Sequence, residues 1–193
     1  VHDERVPIEL RKLADWICEY YAARLPLVLQ TILPTGLGKT RRGNLKLEPI
    51  ASYAVDHSPT KEQTRAIKQI LASTTTTTLL HGITGSGKTL VYQHIAQKIL
   101  AESKSVIILV PEIALTPQLA GQFAHLTPNT IVLHSKLTEA QRHQAWQKLA
   151  SSDEPWIVIG PRSALFAPLR SVGLIVVDEC QEPSFVQDSQ PKY

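Results

Sequence analysis

Five short runs rich in β-branched and aliphatic residues recur through the C-terminal two thirds of this 193-residue chain, separated by helix-like stretches. The runs are Thr77–His81, Val106–Val110, Thr130–His134, Trp156–Ile159 and Leu174–Val177, and the helical stretches begin near Gly87, Thr116 and Thr138. Such runs do not alternate polar with apolar residues, as a strand with one wet face would; they suit strands buried on both sides. Strands joined through helices pair in parallel, because each helix carries the chain back across the sheet. The pattern predicts an α/β fold, a parallel sheet covered on both faces. Ligands of such sheets sit at the carboxyl ends of the strands.

Two motifs fall at such ends. Gly82-Ile83-Thr84-Gly85-Ser86-Gly87-Lys88-Thr89 matches G-x-x-x-x-G-K-[ST] in full, after a predicted strand and before a predicted helix. A loop that turns its N–H groups inward around phosphate oxygens needs glycines where side chains would collide, and the helix N-terminus adds partial positive charge. Lys88 is placed to reach the β and γ phosphates and the Thr89 hydroxyl to ligate magnesium. Gly36-Leu37-Gly38-Lys39-Thr40 is a decoy: Leu33 stands where the first glycine belongs, and no strand precedes it.

The second motif, Leu174-Ile175-Val176-Val177-Asp178-Glu179, is an aliphatic strand ending in paired carboxylates. Two acids at the end of a buried strand call for a neutralising cation. Asp178 is the candidate for holding magnesium and Glu179 for orienting and deprotonating an attacking water, so the chemistry read here is nucleotide hydrolysis.

Upstream, Leu10, Leu13, Ala14, Ile17 and Tyr21 repeat at helical spacing over residues 8–25, and Pro26 and Pro34 interrupt the next stretch of chain. Residues 36–44 are Gly-rich and basic, a linker or contact loop. A fresh helix start is written at Ser58-Pro59-Thr60, where Gln63 completes a capping box and Ala66, Ile67, Ile70 and Leu71 give an apolar face. Residues 1–45, 46–57 and 58–193 thus read as N-terminal remnant, linker and nucleotide-binding domain. An apolar content of 43% suits a globular core, and a net charge of +3 leans only mildly toward polyanions. Cys18 and Cys180 are too far apart for a zinc framework, and no apolar run approaches the ~18 residues of a membrane span.

Stretches Gly82–Tyr92, Val110–Phe123, His134–Trp146, Gly160–Pro168 and Leu174–Tyr193 together resemble the primosomal protein N′ (PriA-type) DNA helicases of superfamily 2. The most specific are Val110-Pro111-Glu112-Ile113-Ala114-Leu115-Thr116-Pro117-Gln118, Leu133-His134-Ser135 and Arg162-Ser163-Ala164-Leu165-Phe166-Ala167-Pro168. The N-terminal Glu19-Tyr20-Tyr21 and Ile32-Leu33-Pro34 look like the end of that family's 3′-DNA-end-binding domain.

The resemblance implies a RecA-like first helicase lobe that binds ATP and Mg2+, within a parent that unwinds DNA 3′ to 5′ during replication restart. It implies single-stranded or forked DNA and primosome proteins as partners, no membrane, and a bacterial cytoplasmic, nucleoid-associated setting. By the same resemblance Pro111, Glu112 and Thr116 form one strand-contacting motif and Gly160, Arg162 and Ser163 a second. For Thr116 a plain helix start, and for Arg162 a carboxylate contact or a plain surface charge, remain open. Gln63 matches an adenine-reading position, though its capping box explains it equally. Phe185 matches an aromatic coupling loop or is a core residue. His134 and Trp146 read as structural.

The chain departs from the family at Leu90 for a usual Glu, Pro161 for a Thr, and Cys180-Gln181 for Glu-His. No winged-helix domain fits between Gly43 and Ser58, and neither a second lobe with its arginine finger nor zinc-binding cysteines is matched, so zinc is expected only there. The expectation is a lobe that binds ATP with little turnover. The rival readings are another superfamily 2 translocase and a non-catalytic DNA-binding or assembly module retaining nucleotide.

Overall fold

The computed structural model describes residues 6–34, 50–52 and 58–185. The decoy loop, the basic residues Lys39, Arg41 and Arg42 and most of the expected linker lie outside the described residues.

Helix α1 (Ile8–Tyr20) buries Leu10, Ala14 and Ile17, the stripe its sequence period predicts. It stops short of the expected residue 25, because Ala22 takes a left-handed φ of 50°. Pro26 interrupts nothing; it sits in the first turn of a second helix, α2 (Leu25–Ile32), where its missing N–H costs no hydrogen bond. The two helices share a core with Phe166, which ties this N-terminal unit to the larger domain.

Helix α3 (Lys61–Ala72) opens on the predicted capping box: Gln63 N donates to Thr60 Oγ1 at 3.2 Å and Thr60 N to Gln63 Oε1 at 2.9 Å. After α4 (Lys88–Ala101) come β1 (Ser105–Leu109), α5 (Pro117–Ala124), β2 (Thr130–Val132), α6 (Glu139–Ala150), β3 (Ile157–Gly160) and β4 (Val172–Val177). The four strands pair in parallel in the order β2-β3-β1-β4. Alternate residues of β1 explain why its sequence is apolar throughout. Ile107 and Leu109 join Leu149 of α6 on one face, while Val106 and Ile108 join Ala96 of α4 and Phe123 of α5 on the other.

The first of the five predicted strands does not form. Residues 77–81 form no ladder, although Leu80 packs with Ile67, Val91 and Ile95 beneath α3 and α4. A β-branched run becomes a strand only where a neighbour takes its N–H and C=O groups. No such neighbour flanks this run among the described residues. The outer side chains of β4, Ile175 and Val177, are likewise 47% and 43% exposed. No described helix is long and apolar enough to cross a membrane.

Candidate nucleotide site and strand-contact loops

Parallel strands bring the ends of β1 to β4, and the loops after them, to one edge. The Gly82–Thr89 loop reaches the same region through α4, whose first residues are Lys88 and Thr89. Gly87 caps this helix at a left-handed φ of 76°, and a Cβ there would lie 2.4 Å from Gln63 Nε2. The left-handed backbone is what calls for glycine; the Gln63 amide could swing aside. Lys88 Nζ donates to Gly82 O at 2.9 Å and Ile83 O at 3.3 Å, so its ammonium is folded back over the loop's hollow.

A cleft of about 720 Å³ runs from this loop to the end of β4, lined by Gln63, Lys88, Thr89, Gln93, Asp178 and Glu179 among others. Lys88, Thr89, Asp178 and Glu179, each read from the sequence as chemically active, therefore face one space. Gln63 lies at its rim with its amide engaged at both ends. The oxygen completes the α3 cap, and the nitrogen donates to Ser86 O at 2.9 Å. Its contact here braces the phosphate loop.

At the end of β4, Asp178 N donates to Leu109 O at 2.9 Å, which holds the residue in line with β1. Glu179 follows with a φ of 50°, a strained conformation for a residue with a side chain, and such strain concentrates at functional sites. Gln181, one of the departures from the resembled family, donates to the Glu179 carboxylate. A neutral amide thus supports the candidate base without neutralising it.

Sequence reasoning missed Tyr92. Its hydroxyl donates to Asp178 Oδ1 at 3.3 Å, joining α4 to β4. Burial, with the neighbouring Asp178 adding to it, pushes the phenol well above its ordinary range, so it stays a donor at neutral pH. The signal was present: Tyr92 lies three residues after Thr89, on the same helical face. Tyr92→Phe is expected to weaken magnesium-dependent ATP binding about two- to fivefold, the low end for a single net hydrogen bond, because the contact is long and acts only through Asp178. Titration of labelled ATP with and without magnesium checks this.

A divalent cation here has two protein ligands to draw on, Thr89 and Asp178, and no cluster of three or more His, Cys, Asp or Glu exists among the described residues. That donor set fits Mg2+ bound together with nucleotide phosphates, not a protein cage.

The residues read as strand contacts divide sharply. Thr116 and Ser163 are exposed or nearly so and Arg162 half-buried, after β1 and β3. Thr116 Oγ1 also accepts from Leu119 N at 3.1 Å, so the helix-start reading holds for it. Pro111 and Gly160 are buried. Gly160 serves close approach: a Cβ would stand 2.6 Å from Leu133 O. Glu112 is exposed, but its carboxylate is engaged by Ser135 N at 3.0 Å. Phe185 packs against the core cluster of Ile107 and Leu109. Trp146 is buried, as its structural reading requires, and His134 is half-buried.

Comparison with known proteins agrees with this geometry. Residues 60–192 match the DEAD/DEAH box helicase family. The replication restart protein PriA of Helicobacter pylori is 39% identical over 189 residues, 94% of this chain and 28% of that protein. That of Bacillus subtilis is 43% identical over 116 residues, 60% of this chain and 14% of that protein. That of Chlamydia muridarum is 45% identical over 139 residues, 69% of this chain and 18% of that protein. The chain spans less than a third of the length of these relatives. With a phosphate loop, paired carboxylates and a parallel sheet in one frame, and a family match over most of its length, the chain belongs to the DEAD/DEAH box helicases.

Proposed function

We propose that this chain is the ATP-binding lobe of a 3′-to-5′ DNA helicase acting in replication restart. The observation that carries the reading is the single cleft shared by Lys88, Thr89, Asp178 and Glu179. Lys88 and the loop N–H groups bind the phosphates, and Thr89 and Asp178 would hold Mg2+, which would supply positive charge against the transferred phosphoryl group. Glu179 orients a water and takes its proton as that water attacks the γ phosphorus, the bond to the β,γ-bridging oxygen breaks and ADP leaves. Gln63, which lines the same cleft, is the proposed contact for the adenine. The relatives named as replication restart proteins support the biological setting, with single-stranded or forked DNA and primosome proteins as partners in the bacterial cytoplasm, nucleoid-associated. In this reading residues 1–45 belong to a 3′-DNA-end-binding domain, 46–57 to a linker and 58–193 to the lobe.

The DNA strand lies along the carboxyl edge of the sheet, over the loops carrying Thr116, Arg162 and Ser163. Hydroxyls, N–H groups and one guanidinium grip phosphates; they do not read base edges. DNA affinity of this chain is therefore expected to be weak, indifferent to sequence and lost as salt rises. Fluorescence anisotropy with unrelated single strands at several salt concentrations checks this, and a strong preference for one sequence contradicts it.

A further inference from the structure

The loop after β2 is held from two sides by residues that belong to other elements. Ser135 N donates to Glu112 Oε1 at 3.0 Å. Ser135 O accepts from Arg142 Nη2 at 2.6 Å, and Arg142 Nε donates to Leu137 O at 3.1 Å. Leu137 N closes a turn onto His134 O at 3.2 Å. Ser135 is thus gripped at both of its backbone polar atoms, by a carboxylate from the loop after β1 and a guanidinium from α6.

The sheet order makes this arrangement informative. Strand β3 lies between β1 and β2, so Glu112 reaches past the end of β3 to find Ser135. It ties together the two loops that flank the Arg162–Ser163 turn. These hydrogen bonds are exposed, where they add little to stability, and Arg142 is directed at two carbonyls. What the contacts accomplish is order in a loop that also carries the exposed Lys136, at the edge where the strand is placed.

We infer that Glu112 and Arg142 are positioning residues that fix the His134–Leu137 loop so that Lys136 meets the backbone of the bound DNA strand. The inference rests on the strand placement proposed above. A direct role for Glu112 on phosphate is unfavourable, since two anions repel. Its carboxylate is instead satisfied within the protein: hydrogen bonding from Ser135, through hydroxyl and N–H, holds it below its ordinary range, helped by His134 and Lys136. Ordering the loop before binding removes an entropic cost that the DNA would otherwise have to meet.

The sign of one substitution separates positioning from simple electrostatics. Removing an acid from a DNA-facing surface strengthens binding when charge alone matters. Here Glu112→Ala is expected to weaken single-strand binding about three- to tenfold, and Glu112→Gln, which keeps the acceptor, to restore it. Arg142→Ala is expected to weaken binding similarly without changing the salt slope, whereas Lys136→Ala lowers that slope by about one. The double variant Glu112→Ala/Arg142→Ala is expected to lose less than the product of the single losses, because both act through one loop. Anisotropy at low salt with the 193-residue chain reads all of these, with unchanged labelled-ATP affinity as the folding control. If wild type binds and Glu112→Ala binds equally or more tightly, the positioning role is overturned while the strand reading survives. If wild type shows no salt-dependent binding, the strand reading fails and takes this inference with it.

Discussion

ATP hydrolysis by these 193 residues alone is expected to run ~10³–10⁵-fold slower than that of a full-length PriA relative stimulated by single-stranded DNA. The reason lies in the cleft. It offers Lys88, Thr89, Asp178 and Glu179, which in the proposed function bind nucleotide and supply a base, but no arginine is among the described residues that line it. Charge accumulating on the transferred phosphoryl oxygens then has Lys88 and the metal to neutralise it. In phosphate-loop enzymes an arginine brought in from outside lowers the barrier by about 4–7 kcal/mol, the equivalent of the stated rate factor. Glu179 cannot substitute, because it acts on the attacking water and carries the wrong charge. Phosphate release measured with and without single-stranded DNA, on both proteins, decides the matter. Equal turnover and equal stimulation would show that this lobe is a self-sufficient ATPase and that the two-lobe reading is wrong.

Lys88→Ala is expected to weaken ATP binding about ten- to one-hundred-and-fifty-fold, the equivalent of the ~1.5–3 kcal/mol that a charge-assisted contact is worth. The ammonium is already poised, held to Gly82 O at 2.9 Å at the start of the helix whose N-terminus faces the same space. Little reorganisation is needed for it to exchange a carbonyl for a phosphate oxygen. The effect should appear in titrations of labelled ATP and leave thermal unfolding without nucleotide nearly unchanged, since the side chain is only half-buried. Wild-type affinity in the variant would remove the phosphate loop from the site. Together with Tyr92→Phe, this substitution separates two proposed layers: Lys88 on the nucleotide itself, and Tyr92 acting through Asp178.

Much of this was legible in the residues because it is local. The Gly82–Thr89 loop is fixed by a left-handed Gly87 and the helix it caps, all close together in the chain. The capping boxes at Thr60/Gln63 and Thr138/Gln141 are each written three residues apart. The apolar runs of β1 and β3 announce strands because a segment buried on both faces has no position for a polar side chain. Asp178 and Glu179 could be placed at a strand's carboxyl end, and hence in the cleft, by the same logic.

What tertiary structure decided are the pairings between residues far apart in the chain. Which strand lies beside which, β2-β3-β1-β4, comes from long-range packing and not from any one run. The run 77–81 has the composition of a strand but no described partner to receive its backbone groups, so periodicity alone misassigned it. Glu112 shows the same limit at a single side chain. Its motif placed it on DNA, while its carboxylate meets Ser135, 23 residues away, and Tyr92 meets Asp178 across 86. The sequence determined which groups stand at the sheet's carboxyl edge, because helical and strand periodicities act over a few residues. Which of them turn toward ligand and which toward each other was settled only by folding, since hydrogen bonds form between whatever groups the packed elements bring within about 3 Å.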